Sequence, residues 1–153
     1  MNIIGIDPGK SGAIAIWNKG IDRIVKCPPN VIKMADEIRK IKDKRNTIAY
    51  IEKVHAFPTD ARSSAFKFGM NYGEWLGILG AMRIETVLVP PQTWMKYFKD
   101  KLKIKLPKEK PKRKRKLKEI ASQYTDKSVT LYNSDAILIS VYGFIQETKR
   151  KEK

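Results

Sequence analysis

Residues 2–9 read Asn2-Ile3-Ile4-Gly5-Ile6-Asp7-Pro8-Gly9, a short apolar run that ends on an acid and then on turn chemistry. Proline followed by glycine interrupts regular structure, so the run predicts a buried strand that delivers Asp7 to its end. Working outward, Ala13-Ile14-Ala15-Ile16-Trp17 predicts a second strand, Asn18-Lys19-Gly20 a turn, and Ile21 to Lys26 a third strand. Short connections between three such runs predict an antiparallel meander.

Beyond it the apolar period changes. Val31, Met34, Ala35, Ile38 and Ile41 recur at helical spacing with cations between them, which predicts an amphipathic helix over 31–41. Thr47 to Glu52 predicts a strand, Ser63 to Met82 a helix, and Glu85 to Val89 a strand stopped by Pro90-Pro91. A last helix over 133–146 carries Ala136, Ile137, Ile139, Ser140, Val141 and Phe144. The order predicts an α/β domain: an antiparallel three-strand start, then crossovers feeding parallel strands in a mixed sheet flanked by helices. At 153 residues the chain fits one core. Residues 1–146 are expected as that domain and 147–153 as a frayed basic tail. Within the 63–82 helix, Gly69, Gly73, Gly77 and Gly80 fall on one side. Each weakens a helix by about 0.8–1 kcal/mol against Ala, so the stripe predicts close approach of another element, either the protein's own sheet or a second copy of the chain.

Thirty-two Lys and Arg stand against sixteen Asp and Glu, a formal charge of +16. Such a field favours a polyanion, nucleic acid first. No run approaches the roughly 18 apolar residues of a membrane-spanning helix, so no membrane partner is expected. The basic residues crowd into 96–118 around only Asp100 and Glu109, which reads as a solvated arm. The alternation in Lys101-Leu102-Lys103-Ile104-Lys105-Leu106 reads equally as an edge strand. Cys27 is the only cysteine, which excludes an internal disulfide and a thiolate zinc site. The N-terminal residues lack signal-peptide features, so an intracellular location is expected.

Phosphodiester cleavage needs an activated water and a stabilised leaving oxygen, and divalent cations held by carboxylates supply both. Hard oxygen donors suit magnesium. Asp7 and Glu52 each finish an apolar strand, and Asp135 opens an otherwise apolar helix. Each also has a structural reading. Asp7 can serve the Pro8-Gly9 turn, Asp135 can be a first-turn acid favoured by the helix dipole, and Glu52 can pair with Lys53 or Arg62.

Three stretches carry a family resemblance. Ile3 to Gly9 resembles the first motif of RuvC-type Holliday-junction resolvases, Tyr50-Ile51-Glu52-Lys53-Val54 the second, and Ser134-Asp135-Ala136-Ile137-Leu138-Ile139 the last. Ser64 to Gly69, Tyr72-Gly73, Pro91-Gln92-Thr93-Trp94 and Phe98 resemble the phage and viral branch of that family. The resemblance implies a ribonuclease H-like fold, a homodimer, and resolution of four-way DNA junctions with magnesium, for which manganese would substitute. It implies that Asp7, Glu52 and Asp135 are the catalytic and metal-holding residues. The implied DNA contacts are Lys10, Arg62, Lys67, Lys105, Lys112, Arg113, Lys114 and Arg115, with His55 and Phe57 against bases. One departure stands out: the family's fourth acidic or histidine ligand has no counterpart in Ser128-Val129-Thr130-Leu131-Tyr132-Asn133-Ser134, leaving Asn133 or Asp126 to supply an oxygen. Other readings are a broader nuclease for forks, flaps or RNA–DNA hybrids, a branched-DNA binder with impaired cleavage, and a phosphotransferase, since Gly5 to Gly9 also resembles the phosphate loop of sugar-kinase and actin-type folds.

Overall fold

The computed structural model describes residues 1–54 and 61–152. Its strands are β1 (Asn2–Asp7), β2 (Ala13–Trp17), β3 (Ile21–Lys26), β4 (Thr47–Glu52) and β5 (Glu85–Val89). They form one sheet in the order β3-β2-β1-β4-β5. β1 pairs antiparallel with β2 and parallel with β4; β2 pairs antiparallel with β3, and β4 parallel with β5. The mixed α/β sheet expected from the sequence is therefore present, with the first strand at its centre.

Two helical layers cover it. Helices α1 (Val31–Arg39) and α2 (Arg62–Ala81) lie on one face, and α3 (Pro91–Lys101), α4 (Lys110–Ala121) and α5 (Ser134–Lys151) on the other. Strand side chains alternate between faces. Ile4 and Ile6 of β1 join Ala49 and Ile51 of β4 in the core under α1 and α2. Ile3 and Tyr50 point the other way, into the core with α5. By the same parity Asp7 and Glu52 face the α5 side.

Helix α5 is buried nearly all round from Ser134 to Val141, and it reaches the sheet through two glycines. A Cβ on Gly5 would come within 2.2 Å of the Ala136 carbonyl oxygen, and one on Gly143 within 2.6 Å of the Tyr50 ring. Only hydrogen fits at either contact.

Three expectations need correction. The 96–118 segment is neither an arm nor an edge strand: it completes α3, crosses a loop and forms most of α4. Along 101–106 the alternation is real, but it belongs to a loop whose Leu102, Ile104 and Leu106 tuck against the core while the lysines between them stay exposed. Residues 147–151 are not frayed. They continue α5, and Glu147, 5% exposed, accepts a hydrogen bond of 2.7 Å from the Tyr50 hydroxyl. The glycine stripe of α2 does not pack on the protein's own sheet. That helix buries Trp75, Ile78 and Leu79 instead, and among the described residues nothing lies within 4 Å of a Cβ placed on Gly69, Gly73, Gly77 or Gly80.

Candidate active site

In the parallel register of β1 and β4, Ile6 lies opposite Ile51, so Asp7 and Glu52 follow side by side at the strand ends. Asp135, 6% exposed, enters from the first turn of α5, which crosses β1 at Gly5. The three carboxylates line one open cleft of about 810 Å³, together with Trp94, Phe68, Leu131, Tyr132 and the basic side chains of Lys110, Arg113, Lys114 and Arg115.

The turn after Asp7 is held from α2. Gly9 has φ 108°, a conformation that favours glycine, and its N–H donates to Asn71 Oδ1 at 2.7 Å. The Phe68 ring lies where a Cβ on Gly9 would stand, 2.8 Å away.

Electrostatics bind the cluster together. Burial lifts the Asp7 carboxyl well above its ordinary value, and the neighbouring Asp135 and Glu52 charges lift it further; Lys114 and Lys110 oppose them. Glu52 rises to about 7, first through burial, against the hydrogen bond from Trp94, with Asp135 adding to the rise and Lys114 reducing it. That bond runs from the Trp94 indole N–H to Glu52 Oε2 at 2.9 Å, so the partner of Glu52 is the indole rather than Lys53 or Arg62. Lys114 forms an ion pair with Asp135 Oδ2, whose other oxygen accepts from the Ser134 hydroxyl at 3.2 Å. Burial disfavours the Lys114 ammonium, but Asp135, Asp7 and Glu52 together hold it above the usual lysine value.

Among the described residues no three ligating side chains stand close enough to grip an ion as they lie. The donor chemistry nonetheless fits a hard divalent cation. Three carboxylates from separate elements converge on one cleft, and their mutual repulsion is what such a cation would relieve.

Arg113, Lys114 and Arg115 line the cleft. Lys112 does not: it pairs with Glu109 at 2.9 Å. Lys10, Arg62, Lys67 and Lys105 are exposed outside the cleft lining, while His55 and Phe57 lie outside the described residues. Asn133 is committed to its own loop, accepting from the Thr130 N–H at 2.8 Å and donating to the Ser128 carbonyl at 3.2 Å. Asp126 is not among the cleft residues. The contributions of Lys110, Tyr132 and Leu131 have no signal in the sequence, because α4 and the 128–134 turn reach the cleft only through tertiary packing.

The described helices include none long and apolar enough to cross a membrane. Two solved structures are similar to this chain. One is RuvC of Thermus thermophilus in complex with a Holliday junction substrate, with a TM-score of 0.65 at 15% identity over 97% of this chain and 96% of that one. The other is Thermus thermophilus RuvC, with a TM-score of 0.60 at 16% identity over 97% of each chain. No family model matches the sequence, and no curated protein does. The likeness establishes a RuvC-like, ribonuclease H-like fold along nearly the whole chain.

Proposed function

We propose that this chain is a structure-specific DNA endonuclease that resolves four-way junctions, acting with magnesium or manganese. The observation that carries the reading is the convergence of Asp7, Glu52 and Asp135 in one cleft rimmed by four cations, within a fold shared with a protein solved on a Holliday junction. Asp7, Glu52 and Asp135 would hold the metal, which when bound supplies an activated water and neutralises charge on the leaving oxygen.

The chain's own residues do the rest. Lys110, Arg113, Lys114 and Arg115 draw a phosphate to the cleft, since such contacts position the backbone without reading sequence. Trp94 fixes one oxygen of Glu52, and among the described residues the other has no hydrogen-bond partner. Lys114, paired with Asp135, offsets part of the negative charge of the three carboxylates. Lys10, Arg62, Lys67, Lys105 and Lys112, outside the cleft, would meet the DNA arms, with His55 and Phe57 against bases.

Paired cuts on a symmetric junction call for two active sites, and α2 supports a homodimer. Its open glycine face continues into Phe66 and Met70, which are 69% and 51% exposed, an arrangement suited to a second copy of the same helix.

Purified protein should nick a synthetic four-way junction in magnesium or manganese, while Asp7→Asn should bind it and leave it intact. Equal cutting of plain duplex would demote junction resolution in favour of a general nuclease. Binding without cutting in either metal would support a junction-binding role, the reading favoured by the lack of an acid in 128–134.

A further inference from the structure

Beside the carboxylate cleft lies a second cavity of about 420 Å³, bounded by Ala13, Ile24, Lys26, Lys127, Ser128 and Thr130. Gly12 and Tyr132 line both spaces, so Tyr132 stands as the partition between them. Tyr132 is 61% exposed, and the adjoining Leu131 is 42% exposed.

Single exposed apolar residues are common on surfaces. This one differs in how it is held. The Thr130 hydroxyl oxygen accepts from the Tyr132 N–H at 3.3 Å and from the Asn133 N–H at 3.2 Å. Asn133 Oδ1 accepts from the Thr130 N–H at 2.8 Å. The Ser134 and Ile137 N–H groups donate to the Thr130 and Asn133 carbonyls at 3.2 and 3.1 Å, which fastens the turn to α5. A cross-braced turn therefore presents an aromatic face to solvent three positions before Asp135. Presenting a ring on a fixed backbone lowers the entropy lost when something packs on it. The cavity behind it is lined by two lysines and no acid, which suits an anionic ligand. Its volume falls within the range of small-ligand sites, enough for one nucleotide. Aromatic rings stack on any base, because every base has a π-face.

We propose that the second cavity is a nucleotide subsite: it takes a nucleotide flanking the scissile phosphate out of the DNA stack and holds its base against Tyr132. The inference rests on the nuclease reading. It adds a requirement that a base near the cut be unstacked, which a branch point meets at less cost than an intact duplex.

The test uses full-length Asp7→Asn protein and four-way junctions carrying 2-aminopurine at successive positions flanking the exchange point. One flanking position should change markedly in fluorescence on binding. Tyr132→Ala in the same background should abolish that change and weaken junction affinity about tenfold, with an unaltered thermal midpoint. Tyr132→Phe, which keeps the ring and drops the hydroxyl, should match the parent. The subsite is overturned if no flanking position responds, if Tyr132→Ala binds and responds like the parent, or if Tyr132→Phe is impaired as badly as Tyr132→Ala, since the hydroxyl rather than the ring would then matter. Nicking by protein with Asp7 intact is scored separately. Its absence would remove the nuclease reading, whereas normal nicking by Tyr132→Ala would remove only the subsite.

Discussion

Burial and the neighbouring Asp135 lift the Glu52 carboxyl from 4.5 to about 7, so near neutral pH the folded protein keeps a proton that the unfolded chain releases. A carboxyl whose folded value is raised stabilises the fold at low pH, and this contribution declines from about 4.5 until the pH passes about 7. Glu52→Gln retains a carbonyl acceptor for the Trp94 indole and never ionises. It should raise stability at pH 8 by about 1–3 kcal/mol, flatten the decline between pH 5 and 7 in thermal or denaturant unfolding, and eliminate cleavage. Equal pH dependence in the two proteins would mean that Glu52 is not the strained group. If Glu52 holds the cation as proposed, binding must displace the same proton, and the magnesium concentration that half-saturates the thermal shift should fall as pH rises from 6 to 8. The positions of Asp7, Glu52 and Asp135 are legible in the sequence as acids at the ends of apolar elements. Their partners are not, since Trp94 reaches Glu52 and Lys114 reaches Asp135 only once α3 and α4 have packed.

At the scale of elements, β1, β2 and β5 are readable because each is a largely apolar run closed by Pro or Asn, and β4 because its apolar run ends on Glu52. Helix α4 hides from the same reading. Its Pro111 looks like a breaker, yet it sits in the first turn, where proline costs little. Most of α4 is Lys and Arg, and its apolar contacts, Leu117, Ile120 and Ala121, come only at the C-terminal end. Glycines divide into two classes by what surrounds them. Gly5→Ala would push a Cβ into the backbone of α5 and should cost about 2 kcal/mol or more, while lowering cleavage by moving Asp135 away from Asp7. Gly77→Ala meets open space and should stabilise the subunit by about 0.5–1 kcal/mol. If α2 is the pairing helix, the same change weakens the dimer in sedimentation. An unchanged association constant would move the interface elsewhere.

For the whole molecule, the excess of 16 positive charges should make junction binding strongly salt-dependent. Affinity should fall by about 10³ or more between 50 and 200 mM salt. Arg113→Ala and Arg115→Ala, both at the cleft, should each lower the slope of log affinity against log salt by about 1. A flat dependence would argue against phosphate contacts as the main source of affinity. The cations are distributed unevenly in function, for Lys112, Lys116 and Lys96 are engaged by Glu109, Glu119 and Asp100, and such exposed pairs are weak enough to exchange for phosphate.

The crossing of α5 over β1 at Gly5 also fixes when the cleft can exist. On the ribosome, Asp7 emerges before any other strand has been made, whereas Asp135 follows all five strands and both basic helices. Chains grow at about 5–20 residues per second, so for several seconds a nascent molecule carries two of its three carboxylates and none of their closing helix. On the nuclease reading proposed above, the three-carboxylate cleft is therefore incomplete until α5 has been made.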